Sequence, residues 1–177
     1  MQMERRRVLV ACAAVAMLVV GCEWMGYTAY QGSWTYAIET EEEGTIVVEQ
    51  RELELADTAF TVTDTVAEDA TVVSEVRFRG DLAVAGRNMY FTTTELWLPE
   101  IMRLFLMLAA EAEGGDLEVF ADEWMNLDEF VAAVEGLDFG ADEFPREALE
   151  LGDATFRVSG DTLTLSDAAG SIEYSKL

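Results

Sequence analysis

Two thiols, many carboxylates and no imidazole bound the chemistry open to this chain. Cys22 carries the thiol of interest, nucleophilic as its thiolate; Cys12 is the second. Without histidine, an imidazole–thiolate zinc site, a histidine-held haem and a Ser–His–Asp triad are all excluded. Glu39, Glu41, Glu42 and Glu43 crowd one hairpin and could attract calcium, but they lack the ligand spacing and glycine of a calcium loop. Asp122, Asn126 and Asp128 fail the same test, so both groups are expected to be solvated acidic faces. Asp64 is more specific. It shares strand parity with Phe60, Val62 and Val66, so it is expected either to bond Ser74 inside a cavity or to meet water at a strand end. Leu104, Phe105 and Met107 on a following helix are the candidate apolar contacts for a ligand. No catalytic constellation is present and no enzyme activity, cofactor or metal is expected.

The residues before Cys22 give it a setting. Arg5, Arg6 and Arg7 precede an apolar run from Val8 to Val20, the layout of an export signal and too short to span a bilayer. Leu18-Val19-Val20-Gly21-Cys22 resembles the lipobox of bacterial lipoprotein signals. That resemblance implies cleavage before Cys22, a diacylglyceryl thioether on its sulfur and an acyl chain such as palmitate on the new amine. The expected address is the cell envelope, lipid-anchored to a membrane, the outer one rather than the inner if there are two. An uncleaved apolar anchor or an ordinary secretory signal is the alternative.

Charge narrows the partners. Thirty-five acidic residues against eleven basic ones give a net charge of −24, with Lys176 the sole lysine. Nucleic acid and anionic lipid surfaces would repel such a chain, so anchoring must rest on acylation. A composition this acidic suits a salt-rich habitat and also serves solubility. If Cys22 carries lipid, no disulfide can form and stability must come from apolar burial and sheet pairing.

Elements that could position these residues follow from parity. Alternating Thr, Val and aromatic residues predict eight strands, 33–38, 45–55, 59–66, 72–85, 88–95, 153–159, 162–166 and 171–176. Gly86-Arg87 and Gly160-Asp161 suit two-residue type II′ turns. They set Val84 opposite Met89 and Leu82 opposite Phe91, then Val158 opposite Leu163 and Phe156 opposite Leu165. A loop over 67–71 would set Val66 opposite Val72, Phe60 opposite Phe78 and Asp64 opposite Ser74. Ile46 and Val48 have the opposite parity to Leu53 and Leu55, which predicts a bulge between them. The expected fold is mainly β (α+β): an eight-stranded antiparallel up-and-down barrel with a two-helix insertion between its fifth and sixth strands. An open sandwich is the alternative.

Gly32-Ser33-Trp34 is similar to the Gly-x-Trp that opens the first strand of lipocalins, and eight strands fit that family. The segment Ala154–Lys176 also resembles the terminal hairpins of bacterial lipocalin-like lipoproteins. The resemblance implies that Trp34 plugs a closed barrel end under a basic side chain, with Lys176 the match. It departs where helices follow the fifth strand rather than the eighth.

Trp97 to Ala110 is apolar on nearly every side with Pro99 at its start and Gly114-Gly115 at its stop. It is expected to pack over the barrel, or else to act as a lid or membrane-facing element. A second helix is expected from an Asn126/Glu129 cap to Gly136, with Leu127, Phe130, Val131 and Val134 inward and Phe120 and Trp124 extending it upstream. The domains read as 1–21 signal peptide, 22–31 lipidated N-terminus and short tether, and 32–177 lipocalin-like barrel with the helical insertion at about 97–136. The function expected is an envelope lipoprotein whose barrel binds a lipid or other apolar small molecule. The alternative is a structural or protein-interaction lipoprotein with a filled barrel.

Overall fold

The computed structural model describes residues 28–42, 44–115, 117–135, 137 and 151–177; Cys22, the expected signal, Glu43 and Gly136 lie outside them. Among the described residues nine strands pair antiparallel in one sheet. They are β1 (Gly32–Glu42), β2 (Thr45–Leu55), β3 (Ala59–Glu68), β4 (Thr71–Ala85), β5 (Asn88–Trp97), β6 (Trp124–Asn126), β7 (Ala154–Ser159), β8 (Thr162–Ser166) and β9 (Ser171–Lys176). β1 to β5 run as a meander, β5 pairs with β7, and β9 returns to β1 through Trp34 with Lys176 and Thr35 with Ser175. Eight strands thus close a barrel and leave it no free edge along these pairings. β6 is an additional short strand on the upper part of β5, with Trp97 opposite Trp124.

Turn chemistry explains most of the registers. Gly86 and Gly160 take positive φ while the residues after them do not, the II′ pattern that matches strand twist. The pairs Val84/Met89, Leu82/Phe91, Val158/Leu163 and Phe156/Leu165 are all present. One register differs from expectation. Asp69 and Ala70, both at positive φ, make a two-residue turn in place of the longer loop. Asp69 fixes it by accepting a bond from the Ile46 amide at 3.1 Å and donating its own amide to the Ile46 carbonyl at 2.9 Å. The tight turn by itself moves the β3–β4 pairing by one residue, and a bulge between Val66 and Ala67, with Val73 the extra residue on β4, adds the second, putting Val62 opposite Phe78 and Val66 opposite Ser74. The bulge expected within β2 is also absent, because β1 and β2 pair without interruption from Gly32/Leu55 to Glu42/Thr45. Ile46 instead faces solvent on a hairpin that runs past the core.

A row of buried side chains crosses the sheet from β1 to β6: Trp34, Leu53, Val62, Phe78, Leu96 and Met125. Burying each contributes about 1.5–3 kcal/mol before entropy is counted. Phe60 and Phe91 meet edge to face at 5.1 Å on the same side. Where β4 crosses β5, Thr94 is an extra residue between Thr93 and Glu95, and Gly80 lies against the kinked backbone. On the outer face Arg77 stacks on Trp97 at 4.6 Å and Arg79 on Trp124 at 4.1 Å, clasping β6 to the barrel.

Two helices occupy the insertion after β5. Helix α1 (Glu100–Glu113) starts after Pro99 and stops at Gly114 in the left-handed conformation, with Gly115 donating to the Ala110 carbonyl at 2.8 Å. Arg103, its one basic residue, donates to the Ala121 and Asp122 carbonyls just after a 3-10 turn at Glu118–Phe120. Leu106 and Ala110 are buried, whereas Ile101, Leu104, Phe105 and Leu108 are 80, 50, 60 and 66 % exposed. Helix α2 (Leu127–Glu135) is capped by Asn126, whose side-chain oxygen accepts from the Glu129 amide at 3.1 Å. Leu127, Phe130 and Val134 form its buried face. Phe120 and Trp124 do not extend that helix: the first sits in the 3-10 turn and the second in β6. Among the described residues, no helix is long and apolar enough to cross a membrane.

A cavity beside Arg51

At the Trp34 end the barrel is filled. Trp34 is completely buried, and its indole N–H donates to the Tyr30 carbonyl at 2.7 Å. The Lys176 ammonium lies 5.7 Å from the ring centre, within reach of a cation–π contact. Tyr30 packs edge to face on Phe156 at 5.5 Å. Gly32, two residues before the tryptophan, has φ of +128°, a backbone conformation that favours glycine, and its missing side chain faces the Lys176 stem.

Toward the other end the walls become unequal. β8 and β9 have five and six residues, against eleven to fifteen for β1, β2 and β4. A cavity of about 370 Å³ opens where the short strands stop. Its apolar wall includes Phe91, Leu151, Ala154, Leu165 and Ile172, and Arg51 and Tyr174 line its inner side.

Arg51 shares the inward parity of Leu53 and Leu55, and the β2–β3 register places it opposite Asp64. The guanidinium grips that carboxylate through two bonds, Nε to Oδ1 and Nη2 to Oδ2, each 2.7 Å. Both side chains are about one-third exposed, at 29 and 33 %. The bonds to Asp64 are the largest influence on Arg51 and hold it protonated more firmly than usual, against the opposing effect of burial. Tyr174 lines the same side of the cavity as Arg51, and its ring lies 5.9 Å from Tyr36. Burial raises the Tyr174 phenol above its ordinary value of about 10, while the Arg51 charge works the other way.

Two expectations follow from these groups. Asp64→Ala leaves Arg51 half-buried without its partner and should cost about 2 kcal/mol in urea unfolding, less than a fully buried pair would. Pairing it with Arg51→Met should recover most of the loss in a double-mutant cycle. The Tyr174 contribution depends on pH: the folded protein keeps this proton where the unfolded chain releases it. That stability is complete below about pH 10 and falls as pH climbs past it toward the folded-state value. Tyr174→Phe should flatten that alkaline decline when unfolding is followed from pH 8 to 11.

The candidate residues do not assemble as expected. Ser74 faces Val66 and does not partner Asp64, because the tight turn at Asp69-Ala70 and the bulge at Val73 together moved the strand by two. Leu104 and Phe105 are exposed on α1 and Met107 packs against the core; none of the three lines the cavity. Arg51, the residue missed, was accessible from parity: Leu53 and Leu55 fix it inward, and the Leu53/Val62 pairing puts it across from Asp64. Among the described residues no group of three or more carboxylates and thiols is placed to hold a metal ion.

Fold and cavity together define a closed eight-stranded antiparallel barrel, packed at one end and recessed at the other above a buttressed arginine. No protein-family model matches the chain, and neither curated proteins nor solved structures gave a match.

Proposed function

We propose that this chain is a lipid-anchored protein of the cell envelope, held through acylated Cys22, whose barrel takes a lipid or other apolar small molecule into the recess beside Arg51. The cavity carries the reading: about 370 Å³ falls within the roughly 300–1,000 Å³ of small-molecule sites, and an apolar wall with a few polar groups is their usual composition. The anchor rests on the Leu18–Cys22 motif and its basic and apolar lead. Trp34 under Lys176 supports the likeness to lipocalins that Gly32-Ser33-Trp34 first suggested. No catalytic step, cofactor or nucleic acid enters the proposal.

Native mass spectrometry of a Cys22→Ser form purified from its own host tests the carrier role. An added mass released by organic solvent is the expected result. The second reading, a structural or interaction protein, is favoured by the exposed Ile101, Leu104 and Leu108 on α1. It replaces the first if no added mass is found and no fluorescent acyl probe is taken up. For the anchor, the intact mass of native protein should show a chain that begins at Cys22 and carries three acyl groups. A chain beginning at Met1 or bearing a free Cys22 thiol overturns it.

A further inference from the structure

Resting on the carrier reading, we infer that the cavity selects an amphiphile with an uncharged, hydrogen-bond-accepting head, such as an ester or amide, over a fatty acid or a cationic lipid. The argument is one of charge and donor supply. Among the described residues, Arg51 is the cation lining the recess, and Asp64 neutralises it through both carboxylate oxygens. A second carboxylate arriving at Arg51 would stand beside that of Asp64, and like charges at such separations disfavour each other by several-fold in affinity at least. Asp167 lines the same cavity and adds further negative charge, its Oδ1 tied to the amides of Ala169 and Gly170 at 2.7 and 2.9 Å. The chain as a whole carries −24, which lowers the local concentration of any anion.

A cationic head would find those carboxylates attractive from a distance, yet at the inner side it meets the guanidinium itself. A neutral acceptor meets neither penalty. Guanidinium has five N–H donors, and the two bonds to Asp64 leave donors for a carbonyl oxygen. Tyr174 lines the same cavity. Ser166 and Ser171, also on the wall, bond each other at 2.7 Å, which leaves one hydroxyl proton of the pair for an acceptor. Phe91, Leu165 and Ile172 then offer apolar surface to a chain.

The test uses three probes of one chain length, monodecanoylglycerol, decanoate and decyltrimethylammonium, titrated at pH 8 and low salt below their micellar concentrations. The protein is the full chain carrying Cys22→Ser. Monodecanoylglycerol should bind at least tenfold tighter than either charged probe. Asp64→Asn should strengthen decanoate binding about tenfold while changing monodecanoylglycerol little, and added salt should narrow the gap between decanoate and the neutral probe in the unsubstituted protein. Decanoate or the cation binding as tightly as the neutral probe overturns the inference and leaves the carrier reading standing. If none of the three binds, both fall. Should Asp64→Asn fail to fold, the three-probe ranking and its salt dependence decide the matter alone.

Discussion

Gly80→Ala should destabilise the protein by more than about 3 kcal/mol, a large share of the stability of an ordinary domain. A methyl group at this position would overlap the Thr92 carbonyl oxygen and stand 2.8 Å from its carbon and 2.9 Å from the Thr93 Cα. These are backbone atoms held in the β4–β5 ladder, so they cannot turn aside as the tip of a side chain could. The extra Thr94 brings the two strands together here, and the Leu82/Phe91 and Phe78/Leu96 core pairs flank the kink on either side. Relief would require opening the ladder between them. Gly152→Ala is the matched control: nothing lies within 4 Å of its new methyl, and its effect should stay within about 0.5 kcal/mol. Urea unfolding of both variants, with near-ultraviolet circular dichroism to report packing, checks the pair. Comparable stability for the two would mean that β4 and β5 are not so closely apposed.

Trp34→Ala should cost about 3–5 kcal/mol, the usual loss when a fully buried aromatic side chain is truncated. The indole does three things at once. It fills the end of the barrel, satisfies the Tyr30 carbonyl and lies below the Lys176 ammonium. Trp34→Phe separates these roles. It keeps much of the volume but gives up the indole N–H bond to the Tyr30 carbonyl, which should cost about 1–2 kcal/mol. Lys176→Ala should cost less than either, since its ammonium is solvated and a cation–π contact at such a site is worth about 0.5–1 kcal/mol. The order Trp34→Ala, Trp34→Phe, Lys176→Ala is the measurable outcome in denaturant titrations. A Lys176→Ala loss equal to that of Trp34→Ala would assign the end of the barrel to charge rather than packing.

The hairpins were legible because alternation and turn chemistry constrain each other. Leu53 and Leu55 had to face Val62 and Phe60, and Gly86 and Gly160 left few ways to fold back. Parity is blind to an even slip, however. Phe60 opposite Phe78 and Phe60 opposite Gly80 bury the same face, so nothing in the apolar pattern separates the two registers. The deciding features were Ala70 at φ of 65°, a conformation its side chain does not advertise, and the bulge at Val73 that restores the parity the tight turn would otherwise flip. Arg51 was overlooked for a different reason. An arginine is a surface residue by type, although parity with Leu53 and Leu55 turns this one inward beside Asp64. The helix α1 was legible in extent but not in placement, since a sequence apolar all round gives no preferred face. Its contact with the 3-10 turn depends on Leu106 and Ala110 pointing one way, a choice made by tertiary packing.

β1 and β9 meet although Trp34 and Lys176 stand at opposite ends of the described chain. The five meander strands can zip from turn to turn, each step closing a short loop at small entropic cost. Joining the first strand to the last requires everything between them to be in place, so it should be the late event in folding. Until that junction forms, two bare strand borders remain available to other molecules of the same kind. A newly made chain is therefore most prone to clump during this interval, and the mutual repulsion of its many carboxylates is what keeps neighbours apart while it lasts.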